Sequence, residues 1–271
     1  MPGQMVDFSF ERFRVRLAGT PDEVAAAQRL RYAVFYEEGS AQPDRRAAMS
    51  RMDVDPFDAV CDHLLVLDCA NDVLVGTYRL LRQDVAEAHD GFYTAREFEL
   101  RPLIERHRHL NFVELGRSCV LRPYRRRPVI ELLWQGVWDY VRHHRLDVMI
   151  GCASLEGTDP DALALPLSFL AEEFAAPEAW RAAALSDRHV EMRRLPPRAI
   201  DRRTALKSLP PLVKGYLRLG CHVGEGALID HQFHTIDVLI ILPVTSINSR
   251  YFAHYGSPEG EPARLGARLT A

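Results

Sequence analysis

The stretch FVELGRSCVL, residues 112–121, sets one carboxylate, Glu114, between Val113 and Leu115. An ionised acid among apolar neighbours is costly unless it has a partner, so it serves either an ion pair or a proton transfer. Arg117 offers the ion pair. On a regular strand the two side chains would face opposite sides, because side chains alternate. Gly116 lies between them, and a bulge there would bring both to one cleft and turn a main-chain N–H outward. Ser118 and Cys119 follow as candidate nucleophiles, but no evident His/Asp relay accompanies either, which favours direct transfer over a covalent intermediate.

Arg125, Arg126 and Arg127 stand immediately before Pro128. Adjacent like charges repel one another. A helix beginning at Pro128 would offer free N–H groups and a dipole that favour an anion, and guanidinium groups suit a phosphate. The alternative is a solvated turn in a chain whose cations are nearly all arginine; Lys207 and Lys214 are the only lysines. A second basic region, Arg188 to Arg218, holds nine Lys/Arg residues against Glu191 and Asp201. The HRH at 107–109 and RHH at 142–144 are only superficially like metal ligands, and no metal is expected.

These residues need elements to hold them. TPDEVAAAQRLRYAVFYEEG predicts a helix, with Thr20 as N-cap, Pro21 in the first turn, Glu23 completing a capping box and Gly39 as the stop. Arg31 and Phe35 lie one turn apart on it. An acidic stretch with Asp53, Asp55, Asp58 and Asp62 follows. HLLVLDCANDVLVGTYRLL reads as two strands about a turn at Asn71-Asp72. FYTAREFELRPLIE contains a short helix, FVELGRSCVL is a strand, Pro128 opens a helix and LDVMIGCASL is the next strand. This alternation implies an α/β fold with a mixed sheet covered by helices. Residues 1–19 read as an N-terminal segment, 20–252 as the domain with an irregular, partly helical insertion at about 156–211, and 253–271 as a disordered tail.

The chain has 271 residues, 47% hydrophobic and 26% charged, with a formal net charge of −3. That is ordinary for a globular protein and gives no global reason to bind nucleic acid. Five cysteines without a C-x-x-C pair argue against a disulfide framework or a zinc site. No signal peptide is evident. The longest apolar run, Val238 to Val244, is far short of the roughly 20 residues of a membrane span. The expected location is cytoplasmic, with at most a peripheral contact at the inner membrane surface.

The segments RYAVFYEEG, DAVCDHLLV, VGTYRLL, FYTAREFEL, ELGRSCVL, LLWQG, GCASLEGTDP, KGYLRLG and GALIDHQFHTIDVLI together resemble the ornithine–acyl carrier protein N-acyltransferases. That family makes lyso-ornithine lipid, the first step in ornithine lipid biosynthesis. It is similar to the N-acyl-homoserine lactone synthases and to the Gcn5-related N-acetyltransferase fold. The resemblance implies one α/β domain with a mixed, splayed β-sheet. It also implies a transferase moving a (3-hydroxy)acyl chain from acyl carrier protein to the α-amine of L-ornithine. Acylation of another amine, giving an N-acyl amino acid or acyl-homoserine lactone, is the alternative. A non-catalytic carrier-protein or membrane-surface binding module is the second. No permanently bound cofactor is implied; the phosphopantetheine thioester is a co-substrate. The acetyltransferase pyrophosphate loop is glycine-rich, whereas residues 123–128 contain no glycine, which favours a carrier-protein donor bringing a single phosphate over coenzyme A.

On this reading Glu114 accepts the amine proton. Arg117, Ser118 and main-chain amides from Ser118 to Val120 complete the catalytic group. Arg31, Phe35, Asp53, Asp55 and Arg79 fall where the lactone synthases carry shared residues. Arg31 or Arg79 would take the ornithine carboxylate, and the aspartates the δ-ammonium. Arg125, Arg126 and Arg127, with Lys214 and Arg218, would hold the phosphopantetheine and the acidic carrier. Phe112, Trp134 and Trp138 would line an acyl tunnel. Anionic lipid head groups compete with the carrier for the second basic region.

Overall fold

The first helix starts where its caps dictate. The Thr20 hydroxyl accepts the Glu23 N–H at 3.3 Å, and Glu23 reaches back to the Gly19 N–H at 2.6 Å rather than to Thr20 itself. The computed structural model describes residues 6–125, 127–248 and 251–252. Its strands are β1 (Asp7–Phe10), β2 (Phe13–Leu17), β3 (Asp62–Asp68), β4 (Val73–Arg82), β5 (Phe112–Val120), β6 (Val148–Glu156), β7 (His222–Asp230) and β8 (Thr235–Pro243). They form a mixed eight-stranded sheet in the order β1-β2-β3-β4-β5-β6-β8-β7. The helices are α1 (Pro21–Tyr32), α2 (Arg45–Ser50), α3 (Gln83–Glu87), α4 (Leu100–Arg106), α5 (Arg127–His143), α6 (Ala164–Glu173), α7 (Arg202–Ser208) and α8 (Pro211–Leu219). This is the expected α/β architecture.

The chain packs as two compact units, one drawing on residues up to 86 and on 115–146, the other on 87–114 and 147–248. In the first, β1 to β4 are antiparallel neighbours. The turn at Asn71-Asp72 joins β3 to β4, with Asp72 left-handed at φ 53°. Residues 7–17, expected to lie ahead of the domain, instead form β1 and β2, and β2 pairs along β3 from Phe13↔Asp68 to Leu17↔Leu64. Helix α5 covers β2, β3 and β4. Helix α1 passes into a π-helix at Ala33–Glu37, a rare geometry that often marks functional sites.

In the second unit, β5 runs parallel to β6 from Phe112↔Val148 to Glu114↔Ile150, and β8 lies antiparallel between β6 and β7. The apolar run of β8 is buried on both faces; Asp237 is its one charged member. The insertion is not loose. Its segments pair through Ala175↔Val223, Ala183↔Glu225 and Val190↔Ala227 along β7, satisfying backbone groups that an edge strand would leave open. Helix α8 ends at Gly220, left-handed at φ 96°, where an added Cβ would stand 2.6 Å from the Ser246 carbonyl oxygen. Gly220→Ala is therefore expected to cost about 1–3 kcal/mol through strain and overpacking. Thermal unfolding measures this, and an unchanged midpoint would contradict it. Among the described residues no helix is long and apolar enough to cross a membrane. The tail at 253–271 lies outside the described residues.

Candidate functional site

In the first unit, three arginines and three aspartates neutralise one another. Arg31, 1% exposed on α1, donates Nε to Asp53 Oδ2 at 2.8 Å. Its two terminal nitrogens reach Asp58 at 2.9 and 2.7 Å, and one of them also reaches the Asp53 carbonyl. Arg79 on β4 donates to Asp55 at 2.6 Å and to Asp58 at 3.1 Å. Arg117 on β5 reaches Asp55 at 3.2 Å and lies 3.3 Å from Asp53. Asp55 and Asp58 are also the reciprocal caps of the 3-10 turn Pro56–Ala59, so the network shapes the loop that supplies its own acids. Burial works against the Asp58 charge, but the Arg31 hydrogen bonds and the Arg31 and Arg79 charges prevail and hold its carboxyl well below the usual carboxylate range.

This corrects the expectation that Arg31 or Arg79 stands open to a substrate carboxylate. Both forks are filled by aspartates and nearly sealed from solvent, as is Asp53. Only the Asp55–Arg117 edge stays partly accessible, with side chains 17% and 15% exposed. Phe35 lies in the π-helix and packs against Leu30, Val34 and Cys119.

A bulge is expected at Gly116; the residue after it is the one that departs from ordinary strand geometry. Arg117 itself is left-handed at φ 51°, a conformation uncommon outside glycine and costly enough to need surrounding support. Ser118 is half-buried. Cys119 is buried, which pushes its thiol up to about 12, so it is neutral near pH 7 and a poor nucleophile.

Arg125 donates Nε to the Val120 carbonyl at 2.9 Å and pairs with Glu38, whose other oxygen accepts the Arg122 N–H at 3.3 Å. Arg125, expected to hold an anion, thus already faces one of the protein's own carboxylates. Arg126 and the side chain of Arg127 lie outside the described residues. In the second unit, Lys214 and Arg218 sit one turn apart on α8, with Lys214 Nζ donating to the Lys207 carbonyl at 3.1 Å. Phe112, Trp134 and Trp138 are 0%, 8% and 3% exposed and behave as core residues. Trp134 packs on Tyr78 and Trp138 on Phe252. Of the histidine runs, His107 stacks on Trp180 with ring centroids 3.9 Å apart, and His143 meets His144 edge-on.

Glu114, in the second unit, is 5% exposed and does not point into hydrocarbon. Oε2 accepts the Tyr93 N–H at 2.8 Å; Oε1 accepts the Thr94 N–H at 2.7 Å and the Thr94 hydroxyl. It caps the 3-10 turn Tyr93–Arg96, whose own N-cap, Phe92, has no side chain to do so. Beside this turn is a group that the sequence reading missed. Glu97, 4% exposed, accepts the Cys152 thiol at 2.8 Å. Carboxylate oxygens of Glu97, Asp230 and Asp237 all lie within 4.8 Å of one another. Acids this close share a proton or hold a cation. Burial pushes Glu97 up to about 7, the Cys152 hydrogen bond opposes the rise, and the Asp237 and Asp230 charges add to it. The available signal was Asp237, an acid inside the otherwise apolar TIDVLIILP.

A mixed sheet with β5 parallel to β6, and a turn after β5 leading into α5, fits an acyltransferase of the GNAT class. The acetyltransferase (GNAT) domain family matches residues 30–135. The fold is similar to that of an N-acyl amino acid synthase from uncultured soil microbes, with a TM-score of 0.52 at 11% identity over 89% of this chain and 98% of that one. The chain is 50% identical over 255 residues to the L-ornithine N(alpha)-acyltransferase of Agrobacterium fabrum, covering 92% of this chain and 86% of the relative. It is 39% identical over 251 residues to that of Rhodobacter capsulatus, covering 90% and 94%. The chain belongs to the L-ornithine N(alpha)-acyltransferase family.

Proposed function

We propose that the chain transfers a (3-hydroxy)acyl group from the phosphopantetheine thioester of acyl carrier protein to the α-amine of L-ornithine, giving lyso-ornithine lipid. The observation that carries this reading is the match, over about nine-tenths of the chain, to relatives named L-ornithine N(alpha)-acyltransferase.

Glu114 accepts the proton of the α-ammonium, directly or through one water, and the freed amine attacks the thioester carbonyl. Main-chain amides near Ser118 to Val120 receive the charge that develops on oxygen; the tetrahedral adduct then collapses with cleavage of its C–S bond, and the proton still carried by the nitrogen passes to the departing phosphopantetheine thiolate. Arg117 and Asp55, at the accessible edge of the aspartate–arginine network, are complementary to the carboxylate and δ-ammonium of ornithine. Arg125 with the Arg122 N–H receives the donor phosphate in exchange for Glu38. The nine cations between Arg188 and Arg218, Lys214 and Arg218 among them, attract the acidic carrier. The protein works in the cytoplasm and meets the membrane peripherally when it releases its lipid product.

Incubating the purified chain with 3-hydroxyacyl carrier protein or the matching acyl-coenzyme A, and with ornithine, lysine or homoserine, tests this. The expected result is N-α-acylated ornithine, formed at least tenfold faster from the carrier thioester, a difference of about 1.4 kcal/mol in transition-state stabilisation. Acylation of lysine or homoserine but not ornithine would overturn the acceptor assignment.

A further inference from the structure

We propose that Glu97 is a positioning residue that sets, through Cys152 and Thr94, how strongly Glu114 accepts a proton. The inference rests on the assignment of Glu114 as proton acceptor and adds a second group to it.

The geometry is a chain of four side chains drawn from β5, β6 and the 3-10 turn Tyr93–Arg96 with its C-cap, Glu97. Cys152, on β6, has one thiol hydrogen and two acceptors in reach: Glu97 Oε2 at 2.8 Å and Thr94 Oγ1 at 3.7 Å. The Thr94 hydroxyl in turn donates to Glu114 Oε1, on β5. The thiol hydrogen serves one acceptor well at a time. While Glu97 is ionised it draws that hydrogen, because hydrogen bonds to a charged acceptor are the stronger ones. When Glu97 takes a proton, the attraction falls and the thiol is released towards Thr94. A hydroxyl that receives a hydrogen bond donates more strongly to its own acceptor. Thr94 then holds the Glu114 carboxylate more firmly, and a firmly held carboxylate is a weaker base. Ionised Glu97 thus leaves Glu114 the better base.

Every group known to act on Glu97 fits a titration near neutrality. Asp237 faces it from β8 and Asp230 from β7, both disfavouring its charge; Cys152 from β6 and Tyr93 from the 3-10 turn favour the charge through hydrogen bonds. Burial outweighs these and leaves Glu97 titrating at about 7. Cys152 itself stays a thiol, raised well above its ordinary value by burial and by the charges of Glu97 and Asp237. It can therefore reorient its hydrogen without losing it. Of the three neighbouring acids Asp230 is only partly buried, whereas Glu97 and Asp237 are buried.

The test is the pH profile of kcat/KM for wild type, Glu97→Gln and Glu97→Asp, with the infrared S–H stretch of Cys152 as a readout independent of catalysis. Cys152→Ala identifies the band. In the wild type, kcat/KM should rise about tenfold through an ionisation near pH 7, the factor that one unit of change in basicity implies, and the S–H band should shift over the same range. Glu97→Gln should remove both, and Glu97→Asp should restore the ionisation at a displaced pH. A Glu97→Gln profile that overlays the wild type, or an S–H band that does not move through pH 7, overturns the proposal. Full activity in Glu114→Gln would instead sink the proton-acceptor assignment, and the S–H readout would still report whether Glu97 and Cys152 are coupled.

Discussion

Glu114→Gln lowers kcat for ornithine acylation by about 10²–10⁴-fold, the range expected for loss of a positioned general base, while donor binding persists. The substitution also has a structural cost. In the wild type both carboxylate oxygens accept main-chain N–H groups of the turn at Tyr93 and Thr94. A glutamine retains one acceptor and turns an NH₂ towards the other donor, leaving a buried N–H unsatisfied at about 1–3 kcal/mol. The two effects separate because the rate is measured on the folded fraction. Thermal unfolding reports the capping loss, and kcat the chemical one. If Glu114 only caps the turn, the midpoint falls and kcat per folded molecule is unchanged.

The second large effect is on stability. Asp58→Ala leaves the Arg31 guanidinium, 1% exposed, with two of its hydrogen bonds removed and takes one from Arg79. Removing one partner of a buried pair costs about 3–5 kcal/mol, because a buried charge is left uncompensated. That is a large part of the roughly 5–15 kcal/mol that holds a typical domain together. The variant should unfold at a much lower urea concentration than the wild type at neutral pH. The sign of the pH dependence follows from the depressed carboxyl of Asp58. Its stabilisation is fully present above the unfolded carboxylate value of about 3.9 and is lost as pH falls below it. The gap between wild type and Asp58→Ala should therefore be widest at neutral pH and narrow below about pH 4. Equal midpoints at pH 7 would show that the network is not a source of stability.

Local signals placed most of the site's supports. Thr20, Pro21 and Glu23 announce α1, Asn71-Asp72 announces the β3–β4 turn, and Pro128 announces α5; each acts within a few residues, where sequence spacing and spatial distance coincide. The rest depends on partners far along the chain. Arg31 bonds acids 22 and 27 positions away, so residues that individually suggested a substrate clamp turn out to bind one another. Glu114 is capped onto a turn 20 and 21 positions earlier. Glu97, Cys152, Asp230 and Asp237 come from four separate segments, a turn and three strands, and only the tertiary fold brings them together. Residues 7–17 read as part of an N-terminal segment ahead of the domain because two short strands of mixed polarity show no burial pattern until β3 supplies the other side.

The most direct measurement is the ratio of wild-type to Glu114→Gln kcat/KM for ornithine from pH 6 to pH 10. A residue whose work is to remove the amine proton matters less as the substrate arrives already deprotonated. Once the rise that Glu97 ionisation produces near pH 7 is complete, the ratio should fall steadily as pH approaches the amine's own pKa. A ratio that stays constant across the range would mean that Glu114 shapes the site without taking the proton.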